Sequence, residues 1–113
     1  MQEPTRYTLA DLATLVEPPE AGILSRAIHT DVTATTILFG FSAGEELTDH
    51  AASRPATIHV LTGELELTVE GERIAGPPGT WLHMAAGMRH GLRAVRASTM
   101  LLTLLPLLPE DAP

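Results

Sequence analysis

The side chains in this sequence that are best suited to chemistry are its five histidines. Imidazole binds borderline metal ions and transfers protons near neutral pH. Two of the five stand close to glycines that mark tight turns, since His50 follows Gly44 by six residues and His90 follows Gly87 by three. Each is therefore predicted to stand at the start or end of a strand. Two such turns in one barrel would bring the two imidazoles together.

The residue types that are absent narrow the chemistry further. The chain contains no cysteine and no lysine. Thiol nucleophiles, disulfides, thiolate metal sites and Schiff-base chemistry are therefore excluded. Fourteen acidic residues against seven arginines give a net charge of −7. A nucleic-acid partner is not expected, because a phosphate backbone needs a basic face that these arginines cannot form.

The elements that must position the histidines are short strands separated by glycine and proline turns. The alternation of apolar and polar residues is strictest in the second strand of the hairpin that turns at Gly63, where Leu65, Leu67 and Val69 share a face. The stretches predicted as strands are Gly22–Thr30, Thr33–Ser42, Ala56–Leu61, Glu64–Val69, Thr80–Met84, Leu92–Val95 and Ser98–Leu105. Strands of this length with little helix predict an antiparallel sandwich or barrel.

One short helix is predicted near the N-terminus. Apolar residues recur at helical spacing from Leu9 to Val16. Thr8 and Asp11 have the spacing of a capping box, and the prolines after Glu17 would end the helix.

The length of 113 residues predicts a single domain, 1–113. The N-terminus has no apolar segment typical of a signal peptide. The most apolar stretch, Thr99–Leu108, is shorter than the ~20 residues that cross a bilayer. A cytoplasmic protein without membrane association is expected.

The spacing of glycines and histidines resembles that of the cupin family. Gly44, His50 and Gly63 match the first cupin motif, while Gly79, Gly87 and His90 match the second. The resemblance implies an all-β, RmlC-like jelly-roll barrel of two antiparallel sheets, to which we add the short N-terminal helix. It also implies a homodimer. The expected organisation is a helix and arm in 1–21, a barrel core in 33–105 and a frayed tail in 106–113.

Two of the four metal ligands that the resemblance implies are missing. Ala52 stands where the family has a second histidine, and Ala56 stands where it has a glutamate. Ala85 stands where the second motif has a proline, and this change has little effect on the chemistry of the site. Two neutral imidazoles alone hold a divalent ion weakly, and a two-histidine, one-carboxylate iron site needs the carboxylate.

Other groups have both a structural and a functional interpretation. His59 or His83 could complete the metal site, although strand alternation places His59 on the opposite face of its strand from Ala56. Trp81 is interpreted as a packing residue, and Met84 is expected to flank the mouth of the barrel together with Met88. Three acidic residues near His50 are interpreted as a solvated loop: Glu45, Glu46 and Asp49.

Three hypotheses about function follow. The first is a small-molecule-binding protein whose apolar barrel uses His50 and His90 as polar anchors and is lined by Ile58, Val60, Met84 and Leu92. An anionic or hydroxylated aromatic ligand would suit two imidazole donors. The alternative is a dioxygenase-like or isomerase-like enzyme that holds one divalent ion (Fe, Mn, Ni or Zn) on His50, His90 and an unusual third ligand, with His59 as first choice. The third, an interaction module, has no supporting sequence feature beyond the expected dimer contact.

Overall fold

The computed structural model describes residues 7–108 and shows nine β-strands in two antiparallel sheets. The predicted all-β architecture is confirmed. The strands are β1 (Ile23–Thr30), β2 (Thr35–Phe41), β3 (Glu46–Ala51), β4 (Ala56–Thr62), β5 (Leu65–Val69), β6 (Glu72–Gly76), β7 (Trp81–Met84), β8 (Arg89–Ala94) and β9 (Ser98–Leu104). The sequence pattern predicts all of these except β3 and β6.

The two sheets enclose one apolar core. The five-stranded sheet has the order β1-β2-β9-β4-β7, and the four-stranded sheet has the order β3-β8-β5-β6. Every second residue of a strand points inward, so Leu65, Leu67 and Val69 of β5 are buried, in agreement with their predicted shared face. Opposite them, Ile58 and Val60 of β4 close the core from the other sheet.

Strand β9 is the central strand of the five-stranded sheet, because it pairs with β2 on one side and with β4 on the other. Met100 is 1% exposed. The following residues, Leu101 to Leu104, are half-buried in the single chain. Homodimerisation stays a prediction.

The turn between β4 and β5 requires glycine. Gly63 has a φ of 78°, in the left-handed region that other residues avoid. A Cβ atom at this position would lie 2.2 Å from the carbonyl oxygen of Ala97 and 2.2 Å from Oγ of Ser98. The hairpin can therefore approach the start of β9 this closely only because the side chain is absent.

The predicted N-terminal helix is wrong. Within residues 7–108 no helix forms, and the segment makes one turn in which the backbone N–H of Leu15 donates to the carbonyl oxygen of Asp11 at 3.2 Å. Thr8 does not cap it, because its hydroxyl contacts Nδ1 of His29 at 3.0 Å. An isolated helix of two turns is marginal in water, and here packing decides the conformation.

That N-terminal segment packs on part of the outer face of the five-stranded sheet, over β2. Val16 is 4% exposed. It lies so close to β2 that a Cβ atom on Gly40 would be 2.8 Å from its Cγ1. Leu38 is fully buried although it faces away from Phe39 and the barrel interior. The segment thus makes a small second core on the outside of the sheet.

The expected frayed tail lies largely outside the described residues, as do residues 1–6. Over the part of the chain that the structure describes, no helix is long and apolar enough to cross a membrane.

Candidate functional site

An apolar cavity of about 290 Å³ lies between the two sheets. Small-molecule sites in proteins span roughly 300–1,000 Å³, so this cavity has the size for a ligand built on a single ring. Both informative histidines line it, His90 half-buried and His50 exposed at its edge. The residues that line it are Phe39, Leu47, His50, Ala52, Ala56, Ile58, His90, Gly91, Leu92, Met100, Leu102 and Leu104.

The structure brings His50 and His90 together, as the sequence predicts. They are register partners on β3 and β8, with ring centroids 4.5 Å apart and ring planes inclined by 54°. Nδ1 of His50 lies 3.0 Å from the carbonyl oxygen of Thr48, and Nδ1 of His90 lies 3.1 Å from that of Met88. Each ring is thus oriented by the carbonyl oxygen two residues earlier in the chain, which lies within β3 for His50 and just before β8 for His90.

A β-bulge directs His50 into the cavity. Leu47 pairs with Leu92 and His50 pairs with His90, so three residue steps on β3 face two on β8. An extra residue in one strand reverses the alternation beyond it. Leu47 and His50 therefore both point inward, which a regular strand would not allow. The sequence carries no clear signal for this bulge.

Of the four apolar residues predicted to line the cavity, two belong to its wall. Ile58 and Leu92 line it. Val60 and Met84 are 0% and 2% exposed and belong to the surrounding core, so Met84 does not flank a mouth. Several lining residues lie outside the predicted set: Phe39, Leu47, Ala52, Ala56, Gly91, Met100, Leu102 and Leu104. Alternation along β9 is the signal that could have found the last three.

The two alanines that replace implied ligands face the same cavity as the histidines. Ala52 and Ala56 both belong to its wall. The carbonyl oxygen of Ala52 accepts a hydrogen bond of 2.8 Å from the backbone N–H of Gly87. This bond joins the loop before β4 to the turn before β8, and so holds the two motif turns side by side. The missing side chains leave space next to the imidazoles.

Neither His59 nor His83 lines the cavity. His59 alternates with the buried Ile58 and Val60 on β4, and the register irregularity of that strand lies beyond it. It therefore faces outward, in register with Trp81 of β7. His83 is exposed, and its ring lies 6.4 Å from that of Trp81. The interpretation of Trp81 as a packing residue is wrong, since 64% of this residue is exposed.

The acidic residues near His50 lie mainly on a strand and not in a loop. Glu46 and Asp49 belong to β3, and Asp49 pairs with Arg89 across to β8 at 3.2 Å. They form part of a groove of about 490 Å³ on the outer face of the four-stranded sheet. That groove is larger than the cavity, but it is open, mixed in charge and contains none of the histidines.

The donor set does not fit a catalytic metal ion. The orientation of the imidazoles is suitable, because metal-binding histidines commonly donate the second ring N–H to a carbonyl group. Catalytic sites, however, use about three protein ligands. Within residues 7–108 no three histidine or acidic side chains are grouped to hold an ion. Besides the two imidazoles, the cavity wall is apolar.

The sequence features that define the cupin domain match residues 37–105, which is more than half of the chain. The chain belongs to the cupin family. This match confirms the resemblance and spans β2 to β9, so it includes both cupin motifs and the whole wall of the cavity.

Solved cupin-like structures share the complete fold. A conserved protein of unknown function from Streptococcus pyogenes superposes with a TM-score of 0.80 at 27% identity, covering 93% of this chain and 92% of the other. An RmlC-like cupin from Desulfovibrio desulfuricans gives a TM-score of 0.80 at 28% identity over 89% and 98% of the two chains. KdgF from Halomonas, at 23% identity, has a TM-score of 0.71 over 79% and 84% and shows the fold alone. No curated protein matches this cupin significantly.

Proposed function

We propose that this cupin binds a small apolar molecule between its sheets, with His50 and His90 as the polar anchors. The observation that carries this proposal is the cavity of about 290 Å³, whose wall is apolar except for the two imidazoles. A cavity of roughly 150 Å³ lined by aliphatic side chains already holds benzene. The space here therefore suits one ring with a short substituent.

The alanine replacements support binding more than metal catalysis. Ala52 and Ala56 remove two potential ligands and enlarge the cavity at the same point. Burial of a ligand's apolar surface stabilises the complex by about 25 cal/mol per Å² before the costs of association are subtracted. A wall of leucine, isoleucine, methionine and phenylalanine side chains supplies that burial.

A substitution that fills the cavity tests the proposal. The probes are 4-ethylphenol and 4-ethylanisole, whose binding is measured by calorimetry and by shifts of the Ile58 and Met100 methyl resonances. We expect both probes to perturb these resonances in the native chain. Ala56→Ile should abolish the effect, because Ala56 is buried in the wall.

The matched control is Ala75→Ile, at an exposed position of β6 outside the cavity. It should leave binding unchanged. If neither probe binds the native chain at millimolar concentration, the cavity is not a ligand site and the proposal fails.

A further inference from the structure

The hydrogen bonds of the two histidines fix which ring nitrogen carries the proton. A backbone carbonyl oxygen can only accept, so Nδ1 of His50 must donate to Thr48 and Nδ1 of His90 must donate to Met88. In a neutral imidazole the other nitrogen then holds a lone pair. Within residues 7–108 neither Nε2 atom has a hydrogen-bond partner. The two anchors therefore present acceptors, and not the donors expected from the sequence.

The rest of the wall supplies no competing side-chain donor. The other ten lining residues are aliphatic residues, a phenylalanine, a methionine and a glycine. Two guanidinium groups lie near the wall, but neither lines the cavity. Arg89 donates to Asp49 at 3.2 Å, and Arg54 donates to the backbone carbonyl oxygens of Leu104 and Leu105. A carboxylate placed between the sheets would meet two lone pairs and no cation. Burying a charge without a partner is costly.

From this polarity we infer the class of ligand: a neutral, single-ring molecule that carries a hydrogen-bond donor, a phenol or an aryl amine, with the donor directed at Nε2 of His50 or His90. This inference rests on the proposed function, since it requires that the cavity is a ligand site. Of the two ligands expected from the sequence, it keeps the hydroxylated aromatic and rejects the anionic one. A carboxylate is rejected because it cannot donate, and an aryl ether loses the bond although its ring fits the cavity equally well.

Three matched probes test the inference in the native chain at pH 8: 4-ethylphenol, 4-ethylanisole and 4-ethylbenzoate. They share the ring and the ethyl group and differ in the polar group. A net hydrogen bond changes affinity by about three- to tenfold, so the phenol should bind more tightly than the ether by that factor. The carboxylate should bind at least about threefold more weakly than the phenol, because it cannot donate to Nε2 and its charge loses part of its water beside the half-buried His90.

Variants then locate the acceptor. His50→Phe and His90→Phe keep a planar ring and remove the lone pair, so at least one of them should bring the phenol-to-ether affinity ratio close to one. His59→Phe is the matched control, because His59 faces the outside of β4, and it should keep the native ratio.

The outcomes distinguish failure of the donor inference from failure of the proposed function. Equal affinity for phenol and ether in the native chain, or tighter binding of the carboxylate, overturns the donor inference while the cavity remains a ligand site. Absence of binding by all three probes overturns the proposed function itself. Since the comparison of ligands uses the native chain, a variant that fails to fold does not prevent the decision.

Discussion

Leu47 and His50 point to the same side of β3 although three residue steps separate them along the strand. The bulge between them restores the register with β8, so that Leu47 lies opposite Leu92 and His50 lies opposite His90. A regular strand would turn the imidazole of His50 outward, away from the cavity. One extra residue in β3 therefore determines that the cavity has two polar anchors instead of one.

Restoring the two implied ligands should create a metal site. Ala52 and Ala56 lie in the same cavity wall as both histidines, so the double variant Ala52→His, Ala56→Glu places four donors around one space. We expect about one equivalent of Mn²⁺ or Ni²⁺ per chain to survive dialysis, because catalytic-type sites need about three protein ligands. Elemental analysis measures this, and the native chain should retain far less.

Two controls accompany the double variant. Adding His90→Ala to it should remove most of the bound metal, since that imidazole would be one of the ligands. Thermal unfolding provides an independent measurement, because a ligand at a hundredfold excess over its Kd stabilises the native state by about 2.7 kcal/mol. A double variant that folds but gains no metal would show that the four positions do not converge as the cavity geometry indicates.

Gly63→Ala should be strongly destabilising, whereas Gly71→Ala should not. Both glycines have a left-handed φ, 78° and 81°. Only at Gly63 would a Cβ atom collide with backbone, 2.2 Å from the Ala97 carbonyl oxygen. We expect a loss of about 3 kcal/mol or more at Gly63 from combined strain and overpacking, against about 1–2 kcal/mol at Gly71 from strain alone. Urea unfolding of both variants gives the comparison, and similar losses would contradict it.

Asp31 should contribute to the pH dependence of stability. Hydrogen bonds hold the pKa of Asp31 well below its usual range. The hydroxyl of Thr33 contributes most, followed by the side chain of His29 and the backbone N–H groups of Thr33 and Ala34. Folding therefore favours the ionised carboxylate. Its contribution is present above the unfolded pKa of about 4 and is lost as pH falls through the lower folded value.

The variant Asp31→Asn isolates this contribution. It should unfold at a lower urea concentration than the native chain at pH 7, and the difference should narrow as the pH is lowered from about 4. Glu72→Gln is the control, at an exposed position of β6, and it should not change the pH profile. A difference that is constant from pH 7 to pH 2 would assign the effect of Asp31→Asn to something other than ionisation.

The strand framework could be predicted from local sequence because its signals are local. Alternation on β5 and the glycine turn at Gly63 act over a few residues, and both are confirmed by the structure. The N-terminal helix could not be excluded in the same way, because its apolar spacing is compatible with a helix. Only contact with β2 shows that Val16 packs instead over Gly40 as part of an irregular segment.

The sequence by itself determined the fold class, the pair of histidines and the loss of two potential metal ligands, since residue type and short-range spacing are sufficient for these. Tertiary structure alone decided that His50 faces inward and that His59 and His83 face outward. It also decided the ring orientations, which bring Nδ1 of each histidine within 3.0 Å and 3.1 Å of a backbone carbonyl oxygen and so carry the inference about the protons. Strand register and a bulge control which side chains face the cavity, and both arise from pairing between segments that are far apart in the chain.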